Sequence, residues 1–248
     1  MIPARVRWSM FKTSIGKDGV SINVKVSDLG VKEKLMSMSS QAPFATAKAL
    51  TRTALLVRDG IVQEMRRAFD RPTPYVLRSL QVEPATKQRL ISIVRPRDFA
   101  GKGTAAWRFL SPQVFGGSRE RKRSESRLGG DIVPGKGAKL DQYGNISRAQ
   151  VQQALSAIGV RQDSAQNSPR AGRTRGMKGG TYFATPRGVL LRRSSNRGDV
   201  AYVLRIVRRP EYRPRLKYFE TAKAVFEKHF RAEFNKAFQA ARPKASRK

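Results

Sequence analysis

Two long stretches of the chain repeat apolar residues at intervals of three and four, which is the spacing of one face of an α-helix. The first stretch covers residues 44–69. Its repeating positions are Ala47, Leu50, Ala54, Val57, Ile61, Met65 and Ala68. Pro43 suits a first helical turn, where its missing N–H has no cost, whereas Gly60 weakens the helix by about 1 kcal/mol relative to alanine. The pattern predicts a long amphipathic helix.

The second helical stretch covers about residues 215–241 and carries an aromatic stripe. The stripe consists of Phe219, Ala222, Phe226, Phe230, Phe234 and Phe238, mostly at i,i+4 spacing. The simplest interpretation is a face buried in the core of the same chain. The alternative is a helix–helix interface between subunits.

The first long helix ends abruptly in the sequence FDRPTPY, residues 69–75. Pro72 disfavours any continuation of the helix. Thr73 is a typical N-cap residue, and Pro74 suits the first position of a helix. The sequence therefore predicts a helix stop followed at once by a short second helix.

Alternation of apolar and polar residues predicts strands elsewhere in the chain. The clearest case is VSINVKV, residues 20–26, which follows a GKDG turn. The remaining predicted elements are a hairpin over 81–96, a compact helix over 146–159 with Ser147 as its N-cap, and strands at 181–185, 188–193 and 200–207.

Two long segments show neither the helical nor the strand-like apolar pattern and are rich in glycine and charged residues: 97–144 and 160–180. Both exceed the length of ordinary loops, so we predict two extended arms, the second of them flexible. Within the first arm, AAWRFLSPQVF contains large apolar side chains. We predict that Trp107, Phe109 and Phe115 lie in an interface with a neighbouring subunit.

The order of these elements predicts an α+β fold, in which antiparallel strands pack against two long helices and the arms are inserted between them. The predicted parts are an N-terminal half of the domain (1–96), a Gly-rich basic arm (97–144), a short helix (145–159), a flexible basic arm (160–180), and C-terminal strands with a long helix that complete the domain (181–248).

The charge of the chain limits the kinds of partner that it can bind. The chain contains 51 Lys and Arg residues but only 18 Asp and Glu residues, for a formal net charge of +33. Nucleic acid is the first candidate to neutralise such a charge, and an acidic protein partner in a large assembly is the second. A membrane surface is third, and nothing else in the sequence supports it. The mixed N-terminal sequence predicts no signal peptide, and no apolar run is long enough for a transmembrane helix.

The candidate catalytic motifs are weak. The absence of cysteine excludes disulfides, thiolate catalysis and cysteine-based zinc sites. GDIVPGKG, residues 130–137, matches the start of a phosphate-binding P-loop but lacks the Ser or Thr after its lysine. The single histidine, His229, lies on the terminal helix, and the carboxylates form no cluster with recognisable spacing. We expect no enzyme, no cofactor and no metal site.

The basic segments are the stronger candidates for a functional surface. Arg119, Arg121, Lys122 and Arg123 fall in one loop, and Arg170, Arg173, Arg175 and Lys178 fall in the second arm. Flexible arginine-rich arms can follow a phosphate backbone without reading base sequence. The alternatives are that these segments are solvated or lie on acidic neighbours.

Three segments resemble a known family. APFATAKALTRTALLVRDGIVQEMRRAFDRPTPYVLRSLQVEPATK is similar to the N-terminal region of phage minor tail proteins of the Z (tail-completion) type, where such a helix runs into FDRPTP and a strand reading V-x-P-ATK follows. KLDQYGNISRAQVQQALSAIG resembles a phage segment of the form LD-x-YGN-x-SR-x-Q. RRPEYRPRLKYFETAKAVFEKHFRAEF is similar to the closing strand, turn and long helix of the same group. Residues 160–180 follow no family pattern known to us.

The resemblance implies a non-enzymatic structural protein of a tailed bacteriophage virion, present in the host cytoplasm during assembly. Such a protein would act in tail completion or at the head–tail junction, as one subunit of a ring around the path of the DNA. Its partners would be other copies of itself, phage connector or tail-tube proteins and genomic DNA, with no membrane. The alternative is a packaging or nucleoid-type protein that binds nucleic acid without sequence preference and works alone.

Overall fold

The computed structural model of the chain describes residues 13–16, 19–25, 41–97, 105–160, 181–192 and 200–241. Its helices are α1 (Ala42–Ala68), α2 (Pro74–Leu77), α3 (Ala106–Phe115), α4 (Arg123–Arg127), α5 (Arg148–Ala157) and α6 (Tyr218–Ala241). Its strands are β1 (Thr13–Gly16), β2 (Gly19–Lys25), β3 (Leu80–Glu83), β4 (Ile91–Pro96), β5 (Asp131–Pro134), β6 (Thr181–Thr185), β7 (Gly188–Arg192) and β8 (Val200–Val207).

The strands form two antiparallel sheets, with the orders β1-β2-β4-β3 and β5-β8-β7-β6. The two long helices, α1 and α6, pack on each other, and α1 also packs on β3 and β4. The predicted α+β class, with antiparallel strands against two long helices, is confirmed.

The chain divides into two compact units, where the sequence predicts one domain with inserted arms. Unit 1 contains Met1–Gly116 and Arg213–Lys248, and unit 2 contains Gly117–Tyr212. The ends of unit 2 meet, because the backbone N–H of Gly117 donates to the carbonyl of Tyr212 at 3.0 Å and the reverse bond is 2.7 Å long. The strands predicted at 181–207 therefore belong to a different unit from the two long helices.

The range 97–144, predicted as an extended arm, contains the helices α3 and α4 and the strand β5. The sequence gives little sign of these elements because they are short and depend on tertiary contacts more than on their own periodicity. Pro112 lies inside α3, at a position that normally argues against a helix. β5 has only four residues and gains its hydrogen bonds from β8, more than seventy positions further along the chain.

The core of unit 1 lies where α1 and α6 meet. Leu50, Ile61 and Met65 of α1 are completely buried there, and Phe226, Phe230 and Phe234 of α6 are at most 5% exposed. The rings of Phe226 and Phe230 stack with their centroids 4.8 Å apart. The aromatic stripe is thus a core face within the chain, which agrees with the simpler of its two interpretations.

Gly60 lies close against the other long helix, α6. A Cβ atom at this position would lie 2.7 Å from Cγ2 of Val225 on α6, which is inside normal contact distance. The glycine that weakens α1 as an isolated helix therefore allows α6 to pack closely against it.

Tyr218, the first residue of α6, connects this helix to the sheet of unit 1. Its side chain is 1% exposed, and its hydroxyl donates to the carbonyl of Val94 in β4 at 3.4 Å. Burial raises the pKa of Tyr218, so the phenol remains a neutral hydrogen-bond donor.

The core of unit 2 is smaller. Its buried apolar residues among those described are Ala154 and Leu155 of α5, Val189 of β7, and Val203 and Leu204 of β8. The helix α5 also contacts β6 and β8, so it covers part of the second sheet. The predicted strand 200–207 and the predicted short helix are both present, the helix as Arg148–Ala157.

Candidate nucleic-acid and partner interface

The loop that resembles a P-loop is a structural turn beside β8. Gly135 and Gly137 donate their backbone N–H groups to the carbonyls of Val203 and Tyr202, at 2.9 and 2.8 Å. A Cβ atom on Gly135 would collide with the Tyr202 carbonyl, so glycine is required by close packing there. These N–H groups are already bonded to the sheet, and no helix follows the loop directly. They are not available to cradle a phosphate.

Arg119, predicted to contact nucleic acid or an acidic partner, forms a two-pronged ion pair with Glu125 of α4. Its Nη1 donates to Oε2 at 2.8 Å, and its Nη2 donates to Oε1 at 2.5 Å. The Glu125 carboxylate also accepts hydrogen bonds from the backbone N–H of Lys122 at 2.8 Å and of Ile132 at 3.2 Å. Its side chain is only 3% exposed. The pair thus joins the basic loop to the start of β5.

Asp131, at the start of β5, is a second buried carboxylate in this network. It is completely buried, and neither of its oxygens accepts a hydrogen bond. Its Oδ1 lies 3.6 Å from Nε of Arg121 and 3.8 Å from Nη2 of Arg119. Two guanidinium groups therefore balance two buried carboxylates.

The environment of Glu125 controls its protonation. Burial by itself raises the pKa of Glu125, but the hydrogen bonds from Arg119 and from the Lys122 and Ile132 N–H groups outweigh this effect and hold the pKa below its usual value. The hydrogen bond to Glu125 in turn raises the pKa of Arg119. Both groups are charged around neutral pH.

The sequence predicts that the basic loop contacts nucleic acid or an acidic partner, and in the structure two of its arginines have carboxylate partners within the chain. Arg119 and Arg121 face the buried carboxylates, because the chain turns back through α4 and brings Glu125 and Asp131 beside them. The side chain of Lys122 is exposed to solvent. The side chain of Arg123 lies outside what the structure describes. The same holds for the whole of four residues in the second arm: Arg170, Arg173, Arg175 and Lys178.

The predicted subunit-interface residues lie on α3 in unit 1, and all three make contacts within the unit. Phe109 packs against the core and lies 6.0 Å from the ring of Tyr75 between centroids. Phe115 is 43% exposed and lies 5.9 Å from Phe219. Trp107 is half-buried, with the guanidinium of Arg108 5.6 Å from its ring. Phe115 is therefore the member of the set that is most available to a partner.

The segment LDQYGNISR forms a local turn between two residues that bridge, Leu140 and Ile146. Oδ1 of Asp141 accepts hydrogen bonds from the N–H groups of Tyr143 and Asn145, both at 2.9 Å. Gly144 has a φ of 76°, a left-handed conformation that glycine adopts without strain. The residue types of this segment are explained by the turn they form.

Gln150, two residues beyond this segment, connects the turn to the second sheet. It is 5% exposed, and its Oε1 accepts from the N–H of Lys139 at 2.7 Å. Its Nε2 donates to the carbonyl of Gly137 at 3.4 Å. A hydrogen bond also joins it to Tyr182 of β6, and it opposes the rise that burial causes in the pKa of that tyrosine. Gln150 therefore connects α5 to the loop at Gly137 and Lys139 and to β6.

The FDRPTP corner has the predicted geometry. The helix α1 ends at Ala68, with Phe69 as its C-cap. Oγ1 of Thr73 accepts from the N–H of Val76 at 3.3 Å, so Thr73 caps α2. Arg71 adopts a φ of 45°, which is uncommon for a residue other than glycine, and pairs with Asp70. The corner sets the direction in which the chain leaves α1 and contains no catalytic arrangement.

Four exposed arginines in unit 2 were missed by sequence reasoning. We call Arg187, Arg205, Arg208 and Arg209 the arginine patch. No guanidinium of the patch forms a hydrogen bond or ion pair with another described residue. The spacing R-x-x-R-R at the end of a strand was the available signal, but the alternation of β8 predicts only a strand there.

Other kinds of site are absent from the part of the chain that the structure describes. It contains no group of three or more His, Asp or Glu side chains placed to hold a metal ion. His229 lies half-buried on α6. No described helix is both long enough and apolar enough to span a membrane.

Comparison of the chain with protein-family models, curated proteins and solved structures found no match. The resemblance to tail-completion proteins therefore depends on the three segments quoted above. In the structure those segments form the α1–α2 corner, the turn before α5 with Gln150, and the start of α6.

Proposed function

We propose that this chain is a structural, non-enzymatic protein of a tailed-bacteriophage virion, acting in tail completion or at the head–tail junction as a ring subunit around the DNA. The resemblance of three segments, in the same order as in the family, carries this proposal. The net charge of +33 agrees with a place beside DNA or acidic ring partners.

The roles of the resembling residues agree with a structural protein. Thr73 caps a helix, Asp141 closes a turn, and Gln150 connects that turn to a sheet. Each makes a contact that fixes the fold, and none is arranged with a nucleophile or a metal ligand set. A closed ring needs two different surfaces that meet head to tail, and the exposed aromatic rings of Tyr75 and Phe115 are suited to one of them.

A stand-alone protein that binds nucleic acid without sequence preference is the second candidate. The unpartnered arginine patch and the net charge favour it, since both suit a phosphate backbone. It differs from the ring subunit in one property. A ring subunit assembles without nucleic acid, whereas a stand-alone binder remains monomeric once nucleic acid is removed.

The test is the mass of the nuclease-treated protein, measured by size-exclusion chromatography with light scattering, together with its presence in purified virions. The ring proposal expects a defined oligomer or incorporation into particles. A monomer that is also absent from virions would overturn it and favour the second candidate. Magnesium-dependent DNA cleavage that is lost on changing one specific carboxylate would overturn the non-enzymatic part.

A further inference from the structure

We infer that the arginine patch of unit 2 is a surface that binds the phosphate backbone of duplex DNA without reading its base sequence. The inference rests on the proposed function, because it names the surface with which a ring subunit would meet the DNA. It also places the contact on a folded sheet, whereas the sequence alone pointed to the two arms.

The four arginines come together through the pairing of β7 with β8. Arg205 on β8 pairs in register with Gly188 on β7, which has no side chain to cover it. Arg187 directly precedes Gly188, and its carbonyl accepts a hydrogen bond from the N–H of Ile206 at 2.9 Å. Arg208 and Arg209 follow the end of β8. The patch therefore occupies one end of two hydrogen-bonded strands.

The two carboxylates that the structure describes near the patch do not neutralise it. Asp131 pairs in register with Val207 but is buried and faces Arg119 and Arg121. Glu211, two residues beyond Arg209, is exposed and forms no ion pair with a described residue. Arg208 and Arg209 are adjacent in the chain and like charges repel, so a polyanion bound at this end of the sheet would offset their repulsion.

The lack of a described apolar anchor beside these arginines favours phosphate over an acidic protein surface. Arginine presents a planar fork of donors that matches a phosphate group, and contacts of this kind position a protein on DNA without specifying sequence. All four side chains are exposed, and no exposed large apolar residue lies among the described residues around them, whereas protein interfaces usually centre on buried aromatic or apolar anchors.

The experiment measures the affinity of the full-length, nuclease-treated protein for a random-sequence duplex as a function of salt concentration. In the test variant all four patch residues are changed to glutamine. The matched control changes four exposed cations of α6 to glutamine, so that it loses the same charge: Lys223, Lys228, Arg231 and Lys236. Circular dichroism checks that both variants are folded, which we expect because these side chains are exposed.

If the patch contacts phosphates, the slope of log K against log salt should become shallower by about 3 to 4 in the test variant, since each contact contributes about 0.9. Between about 50 and about 200 mM salt, the wild type should then lose on the order of 100-fold more affinity than the variant. The slope of the control variant should change by less than the contribution of one phosphate contact, about 0.9.

If the slope of log K against log salt became equally shallow in the test and control variants, binding would depend on total charge and not on the patch. This result would overturn the inference. It would also be overturned by an unchanged slope in the test variant, in particular if that variant lost binding to poly-glutamate, which would identify an acidic protein partner instead. A third variant distinguishes the contribution of the patch to DNA binding from that of the second arm. It carries glutamine at four positions of the arm: Arg170, Arg173, Arg175 and Lys178. If the wild-type protein is monomeric without nucleic acid while the patch variant still has the shallower slope, the ring is overturned and the patch is supported.

Discussion

In unit 1 the two long helices bury a continuous row of large apolar side chains, whereas unit 2 surrounds a small apolar cluster with buried polar groups. The buried threonines of unit 1, Thr46 and Thr53, satisfy their hydroxyls within α1 by bonding the carbonyl four residues back. In unit 2 the buried Glu125, Asp131 and Gln150 interact with groups on other elements.

The difference shows two ways in which a chain fixes a fold. Apolar burial is non-directional and tolerates small shifts, so it is suited to long helices that share a broad face. A buried polar group needs a partner at a defined distance, and an unpaired one is costly. Unit 2 therefore depends on a few specific contacts, and the loss of any one of them should matter more than its surface area suggests.

The largest effect should follow from opening the core of unit 1. Phe230→Ala removes a ring that is 3% exposed and stacked on Phe226. Large-to-small changes of this kind cost about 3–5 kcal/mol of unfolding free energy. Hydrogen exchange followed by mass spectrometry should show faster exchange in α1 and α6. The exposed neighbour Lys228, changed to Ala, is the control and should leave exchange unaltered.

The two hydrophobic clusters have no residue in common, so peptides from β7 and β8 should keep their protection in the Phe230→Ala protein. Equal loss of protection in both units would show that they unfold together and would remove the basis for treating them as separate. This result would also weaken the contrast between their means of stabilisation.

Unit 1 was predictable from sequence because its elements are long and periodic. The expected helix at 44–69 is found at Ala42–Ala68, and the expected helix at 215–241 is found at Tyr218–Ala241. The helix stop at Pro72 and the cap at Thr73 depend on neighbouring residues alone, so the FDRPTP corner was also predictable.

Unit 2 was only partly predictable, because its decisive contacts join residues whose proximity depends on the fold and not on any sequence periodicity. Nothing in the spacing of Arg119 and Arg121 shows that a turn through α4 brings Glu125 and Asp131 beside them. A basic loop of this composition is typical of a nucleic-acid surface, so its two arginines were assigned to an outside partner. The arginine patch was missed for a similar reason, since only the pairing of β7 with β8 brings Arg187 to the strand end that carries the other three arginines.

The second effect in size should follow from removing the charge of Glu125. Glu125→Gln keeps the shape of the side chain but weakens the pairing with Arg119, and hydrogen bonds to charged groups are worth about 1.5–3 kcal/mol each. Urea unfolding should show a loss of this order. Exchange should rise in β5, which Glu125 holds through the N–H of Ile132, while α1 remains protected.

The same carboxyl should make unit 2 sensitive to acid. The pKa of Glu125 is lower in the folded state than its usual value of 4.5, so its contribution is present above that value and is lost as the pH falls through the folded pKa. Protection in β5 should therefore fall in acid in the wild type and change less in Glu125→Gln. The same acid dependence in both proteins would assign it to other carboxyls.

The smallest effect should come from Gln150, and it tests whether one neutral buried side chain can organise unit 2. Gln150→Ala leaves the N–H of Lys139 and the carbonyl of Gly137 without their partner, at a cost of about 1–3 kcal/mol. Gln153→Ala is the matched control, since it removes the same side chain from an exposed position on the same helix. Thermal unfolding and hydrogen exchange should both distinguish the two variants.

The location of the change in exchange is the informative part of this comparison. If Gln150 connects the turn to the sheet, protection should fall at residues 137–147 and in β6, where Tyr182 loses its hydrogen bond. If the Gln150→Ala protein instead behaves like Gln153→Ala, the buried polar contacts of unit 2 are replaceable by water. In that case its stability comes from the small apolar cluster around Leu155 and Val203, and the two units differ in size rather than in kind.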